Sequence, residues 1–250
     1  MSGHSKWSTI KRKKGAADAK RGALFGKLSR AITVAAKEGG GDPEMNPNLS
    51  LAVQKAKDAN MPNDNIDRAI AKGTGSGSDG SEYEAITYEG YAPGGVAVLV
   101  DVLTDNRNRT ASDVRFIFTK NGGKLGTSGS VAYMFDRKGV IMVPADGLDE
   151  DELMLVALDT GAEDVVREND YFRVTTEATD FMAVRQGLAE AGITCEDASL
   201  SMEPQNTVDL DASTAKQTLR LIDALEENDD VQEVFANFDV SEEVMAEVAG

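Results

Sequence analysis

One cysteine and one histidine occur in 250 residues. A lone Cys195 excludes an internal disulfide and any cysteine-based metal cluster, and it suits a reducing compartment. A lone His4, in the N-terminal arm, excludes paired-histidine motifs and is poor ground for a positioned acid–base group. No nucleophile elbow and no cysteine–histidine couple is present. No run of about 18 apolar residues occurs, so no membrane-spanning helix is expected. The opening MSGHSKWSTIKRKK lacks the apolar segment of a secretory signal. Residues 1–37 share the basic, acid-poor composition of a mitochondrial transit peptide, but they also carry the apolar spacing of a packed helix. The expectation is a cytoplasmic, non-enzymatic protein with no cofactor, metal or small-molecule substrate. A hydrolase using carboxylates and a metal is the one catalytic alternative.

Positive charge is scarce overall, with 26 Lys and Arg against 43 Asp and Glu, a net of −17. It is also unevenly placed. Residues 1–72 hold fourteen bases and seven acids, whereas residues 73–250 hold twelve bases and thirty-six acids. A net of +7 followed by −24 points to a polyanion-binding module on an acidic carrier.

The basic part reads as helical. Leu24, Leu28, Ala31, Ile32 and Ala35 fall on one face of a helix over Asp18–Glu38, which Gly39, Gly40 and Gly41 end. Asn48 is a candidate cap for a second helix with Leu49, Ala52, Val53 and Ala56 inward. Met61-Pro62 breaks it, and Asn63 is a candidate cap for a third with Ile66, Ala69 and Ile70 inward. Residues 73–81, GTGSGSDGS, are a linker by composition. Their Gly75-x-Gly77-x-x-Gly80 spacing follows a helix and precedes a strand, the wrong setting for a dinucleotide fingerprint.

Strands and helices then mix. Strands are expected at Ala85–Tyr91, Val96–Val102 and Ser130–Phe135, with a helix at Thr110–Asn121. A β-α-β-β-α-β run follows, the ferredoxin-like order, and after it strand Thr207–Leu210, helix Thr214–Glu227 and strand Val231–Phe238. The fold class is therefore α+β: an N-terminal three-helix domain (1–78) and two ferredoxin-like-type α+β domains. The third (136–204) is inserted in the second (79–135 with 205–241). A weak internal similarity between residues 161–174 and 228–240 fits a duplicated fold.

Lys6, Trp7, Lys11, Arg12, Lys13 and Lys14 form the strongest candidate nucleic-acid-binding segment, since consecutive bases suit phosphates. Trp7 either stacks on an unpaired base or packs the arm onto the bundle. Lys20, Lys27, Arg30 and Lys37 continue the cations along one arc of the first helix, away from Leu24 and Leu28; Arg21 falls near the apolar side instead. Arg107 and Arg109 sit at a strand-to-helix junction capped by Asn108 or Thr110. They either form a second anion site or tie two domains together. The loop Gly122–Gly129 lacks phosphate-loop order and reads as a turn.

Several segments in order carry a family resemblance: Gly3-His-Ser-Lys-Trp7, Asn60-Met-Pro62 with Arg68-Ala-Ile70, Tyr88-Glu-Gly-Tyr-Ala-Pro-Gly-Gly-Val96, Leu103-Thr-Asp-Asn-Arg-Asn-Arg-Thr110 and Gly122-Gly-Lys-Leu-Gly126. They resemble the YebC/PmpR family over nearly the whole chain. The resemblance implies a helical domain with two α+β domains, the third inserted in the second, and no catalytic residues. It implies a regulator of gene expression: a DNA-binding transcriptional regulator, or alternatively a translation factor that binds RNA or the ribosome.

The charge split generates a test. Residues 1–78 alone are expected to bind duplex DNA more tightly than the full chain at matched salt, because the acidic body repels the same polyanion. Equal binding by residues 79–250 would refute the head-and-carrier arrangement.

Overall fold

The computed structural model describes residues 18–75 and 83–249. Helix α1 (Asp18–Gly39) buries Leu28, Ile32, Ala35 and Ala36, while Leu24 at the start of the stripe stays exposed. It stops where Gly40 takes a φ of +90°, a left-handed turn that glycine adopts without steric cost. Helix α2 spans Pro47–Asp58 and α3 spans Asn63–Gly73. The α2 cap is Asn46, not Asn48: its side chain accepts from the Leu49 amide at 3.1 Å. Pro47 supplies the preset φ of a first helical residue, so the cap falls immediately before it. Buried Asn46 also donates to the carbonyls of Ala35 and Gly40 at 2.8 and 2.9 Å, which fastens the α1–α2 turn. Asn63 lies inside α3, after Pro62, and no side chain caps that end.

Strands β1 (Glu84–Ala92) and β2 (Val96–Thr104) form an antiparallel hairpin around Pro93–Gly95. Helix α4 (Arg107–Lys120) leads to the short β3 (Lys124–Leu125), which pairs with the far edge of β1. The expected strand at Ser130–Phe135 is instead a short 3-10 turn, Ala132–Met134. Its backbone donors are diverted. Glu89 of β1 accepts the amides of Gly129, Val131 and Ala132 at 2.5, 2.7 and 2.8 Å, so they cannot serve a ladder.

The chain then builds β4 (Phe135–Pro144), α5 (Glu150–Asp159), β5 (Ala162–Glu168), β6 (Tyr171–Glu177), α6 (Phe181–Glu190) and β7 (Asp197–Pro204). The sheet order β5-β6-β4-β7, with antiparallel neighbours, is the ferredoxin-like arrangement. Alternate strand residues Ile141, Val143, Val165, Phe172 and Val174 pack on Leu153, Phe181, Val184 and Leu188 of the helices.

Next come β8 (Val208–Asp209), α7 (Ala212–Glu226), β9 (Val231–Ala236), β10 (Phe238–Asp239) and α8 (Glu242–Ala249). β9 returns to the first sheet beside β2, giving the order β3-β1-β2-β9. This sheet also carries two helices against it, but its chain order opens on a hairpin. Val96, Val98, Val100 and Val102 face Val114 and Phe118 of α4 and Leu219, Ile222 and Leu225 of α7. The opposite side of β2 is covered too. Ala97 and Leu99 pack with Val131, Phe135, Met202 and Phe235, joining the two sheets. Helix α2 meets both: Leu51 lies against the second sheet's core, Asp58 pairs with Arg185, and Lys55 pairs with Glu233.

Close packing of α1 on α3 makes Gly73 sensitive. A Cβ there would sit 2.4 Å from the Thr33 carbonyl oxygen and 2.7 Å from the Ala36 Cβ. Gly73→Ala is expected to cost about 1–3 kcal/mol through forced separation of the helices. Gly26→Ala, where nothing lies within 4 Å, is expected to stabilise by up to about 1 kcal/mol through helix propensity. Thermal unfolding of the two variants checks both signs.

Candidate nucleic-acid interface

Lys6, Trp7, Lys11, Arg12, Lys13 and Lys14 lie outside the described residues, and Lys20 falls in the first turn of α1. The remainder of the expected stripe divides. Lys37 is exposed in the last turn of α1. Lys27 and Arg30 do not face open solvent; the loop between α7 and β9 covers that part of the helix. The Lys27 ammonium donates to the Glu226 carbonyl at 2.6 Å. The Arg30 guanidinium donates to the carbonyls of Asp229 and Leu103 at 2.5 and 3.2 Å and reaches the Asp230 carboxylate at 3.3 Å. It also lies over the Tyr83 ring, 5.2 Å from the centroid.

Asp230 is 6% exposed and is the hub of this contact. Its carboxylate accepts from Thr110 at 2.6 Å, Arg109 at 2.8 Å and Thr104 at 3.2 Å. Burial by itself pushes its pKa up. The hydrogen bonds from Arg109 and Thr110 and the charges of Arg109 and Arg30 outweigh this and hold it below the ordinary aspartate value. Arg109, expected either at a phosphate or between domains, is thus engaged by Asp230 and by Asp105 at 2.9 Å. Arg107 pairs with Glu84 at 2.8 Å with its side chain 66% exposed. Asn106, rather than Asn108 or Thr110, caps α4, accepting from the Arg109 amide at 3.1 Å. Thr110 is buried because its hydroxyl serves Asp230.

A groove that the sequence did not announce lies between α1 and α3. It encloses about 340 Å³, and its polar lining comprises Ser29, Arg30, Thr33, Asn65, Arg68 and Lys72, with Tyr83 at one side. Among the described residues, three cations and no carboxylate line it. Arg68 is exposed and oriented by its own helix, donating to the Asp64 carbonyl at 3.0 Å and to Asn65 Oδ1 at 2.7 Å. The sequence signals were the Arg68-Ala-Ile70 motif and the spacing of Arg68 and Lys72, four residues apart and so on one helix face.

The glycine-rich loop after α4 is not available to an outside anion at Gly129–Ala132. Glu89 already occupies those amides. Burial raises its pKa, yet the hydrogen bonds from Val131, Gly129 and Ala132 bring it below the usual carboxylate value. Among the described residues no group of three or more His, Cys, Asp or Glu could hold a metal ion, and no helix is long and apolar enough to cross a membrane.

The Asp230 hub fixes a pH dependence. A carboxyl held low in the folded state contributes stability above its unfolded pKa of about 3.9; that contribution is lost as pH falls through the lower folded value. Asp230→Asn is therefore expected to cost about 2–3 kcal/mol at pH 7, by removing the charged acceptor that Arg30, Arg109 and Thr110 share, Arg109 keeping only Asp105. The gap to the parent chain should narrow below about pH 4 as the parent Asp230 protonates. Denaturant titrations of both chains from pH 3 to pH 7 measure it.

Comparison with known proteins agrees with this architecture. Residues 5–76 match a family model described as the TACO1/YebC protein N-terminal domain, and residues 83–238 match one described as the TACO1/YebC second and third domain. A probable transcriptional regulatory protein of Rubrobacter xylanophilus is 79% identical over 250 residues, covering 100% of both chains. One from Halothermothrix orenii is 57% identical over 251 residues, covering 99% of each. The crystal structure of a conserved hypothetical protein from Aquifex aeolicus superposes with a TM-score of 0.81 at 49% identity, over 90% of this chain and 93% of that one. With both halves matched in order and close relatives covered end to end, the chain belongs to the TACO1/YebC family.

Proposed function

We propose that this protein is a non-enzymatic, cytoplasmic nucleic-acid-binding regulator of gene expression, and that its leading role is DNA-binding transcriptional regulation. One observation carries the reading: in a chain of net charge −17, the groove between α1 and α3 is lined, among the described residues, by Arg68 and Lys72, by Arg30, which Asp230 engages, and by no acid. Such a surface attracts phosphates, while the acidic remainder suppresses unspecific adhesion. Lys6, Lys11, Arg12, Lys13, Lys14, Lys20 and Lys37 would extend the cationic surface, with Trp7 available to stack. In this reading residues 1–78 are the binding domain, and residues 79–135 with 205–241, and 136–204, are the two carrier domains. The name of the relatives, probable transcriptional regulatory protein, supports the transcriptional role. A second reading, an RNA- or ribosome-binding translation factor, is favoured by one feature: an aromatic ring exposed among cations on α4.

The double substitution Arg68→Gln, Lys72→Gln tests the groove. It should weaken duplex DNA binding and make the log–log salt dependence shallower by about 0.9 for each phosphate no longer neutralised. Fluorescence anisotropy across a salt series reads both quantities. An unchanged slope would remove the groove from the binding surface.

A further inference from the structure

Five of the twelve bases in residues 73–250 fall within residues 107–124, where Asp113 is the only acid. This is a basic island in a strongly acidic body, and it centres on α4. The helix turns Thr110, Val114 and Phe118 inward. At 100° per residue, Ser112, Arg115, Phe116, Thr119 and Lys120 occupy the opposite arc. Of these, Arg115, Phe116, Thr119 and Lys120 cluster toward its C-terminal half.

Two features set this arc apart from an ordinary solvated face. Phe116 is 64% exposed, and the Lys120 ammonium lies 5.8 Å from its ring centroid. Arg115 and Lys120 make no ion pair among the described residues, although acids outnumber bases threefold in this part of the chain. The hydroxyls of Ser112 and Thr119 are satisfied within the helix, each donating to a carbonyl one turn back at 2.9 Å. Exposed Lys124 follows on β3, in register with Tyr91 of β1.

A single exposed apolar side chain is commonplace. A ring flanked by unpaired cations is a different object. It matches a ligand that brings a flat apolar face and negative charge together, as a nucleotide with an unstacked base does. Duplex DNA keeps its bases stacked, whereas RNA displays splayed bases in loops and single strands. We propose that the outward face of α4 binds a single-stranded stretch of RNA, with one base on Phe116 and the adjoining phosphates on Arg115 and Lys120. This rests on the reading of the protein as nucleic-acid-binding. The surface is held firmly relative to the groove, because Asp230 grips Arg109 and Thr110 of α4 and also Arg30, a groove residue. Two fixed contacts on one strand raise the effective concentration of the second.

The test uses the full chain, a labelled twelve-nucleotide oligouridine, and duplex DNA of equal length, read by anisotropy at fixed salt. Phe116→Ala and Phe116→Leu should each weaken oligouridine binding by about tenfold, and Phe116→Tyr should retain it, since stacking needs the ring. Arg115→Gln with Lys120→Gln should reduce the salt slope on oligouridine by about 0.7 per phosphate released. Duplex DNA affinity should change by less than about twofold in the Phe116 variants, since a duplex offers no unstacked base. Matching thermal midpoints would confirm that an exposed ring was removed without unfolding. Unchanged oligouridine binding by Phe116→Ala, with binding still weakened by Arg68→Gln and Lys72→Gln, would overturn the α4 site and leave the groove reading intact. Tighter, equally Phe116-dependent binding of oligothymidine would overturn the assignment to RNA. Displacement by polyglutamate as efficient as by unlabelled oligouridine would overturn it in favour of an acidic protein. A parent chain that bound neither RNA nor duplex DNA would overturn both readings.

Discussion

Asp230, buried at the entry to β9, joins three parts of the chain through one carboxylate. Arg30 reaches it from α1, Arg109 and Thr110 from α4, and Thr104 from the end of β2. Taking a carboxylate out of water is costly unless donors replace its hydration, and here four side chains do. The backbone around it is also held: the Asp230 carbonyl accepts the Leu103 amide at 2.9 Å, and the Asp230 amide donates to Asn228 Oδ1 at 2.9 Å. Because the donors come from separate elements, the ion sets where the helical bundle sits on the sheet. The side of α1 bearing Lys27 and Arg30 turns toward the α7–β9 loop, and the cleft between α1 and α3 is left open.

The same logic recurs at two other points. Glu89 fills the amides of Gly129–Ala132, so an internal carboxylate shapes the loop leading into β4. Helix α2 adds Asp58 to Arg185 and Lys55 to Glu233, with Leu51 among apolar side chains of the second sheet. In each case a charge facing the body finds an internal partner. Arg115 and Lys120 on α4 make no such ion pair among the described residues.

Helices and strands were largely legible because their signals are local. The spacing of Leu28, Ile32 and Ala35 records one face of α1, and the βαββαβ run is written in alternation and turn residues. The misreadings were also local in extent. Pro47 moved the α2 cap to Asn46, and the strand expected over Ser130–Phe135 became a turn because Glu89, about forty residues earlier, took its amides. The binding surface was less legible. Sequence showed that the first 72 residues are basic, but not which cations would be covered; it named Arg68 only within a family motif and gave Lys72 and Phe116 no role.

What the sequence determined by itself was the division into a basic helical head and an acidic α+β body, because charge counts and apolar periodicity need no partner to be read. The tertiary structure alone decided which cations line an open surface. Arg30 and Asp230 are 200 residues apart in the chain, and no periodicity within α1 encodes that meeting. A helix face is exposed only if nothing docks on it. That depends on how two separately folded surfaces match in shape and charge, which is a property of the assembled chain and not of either segment.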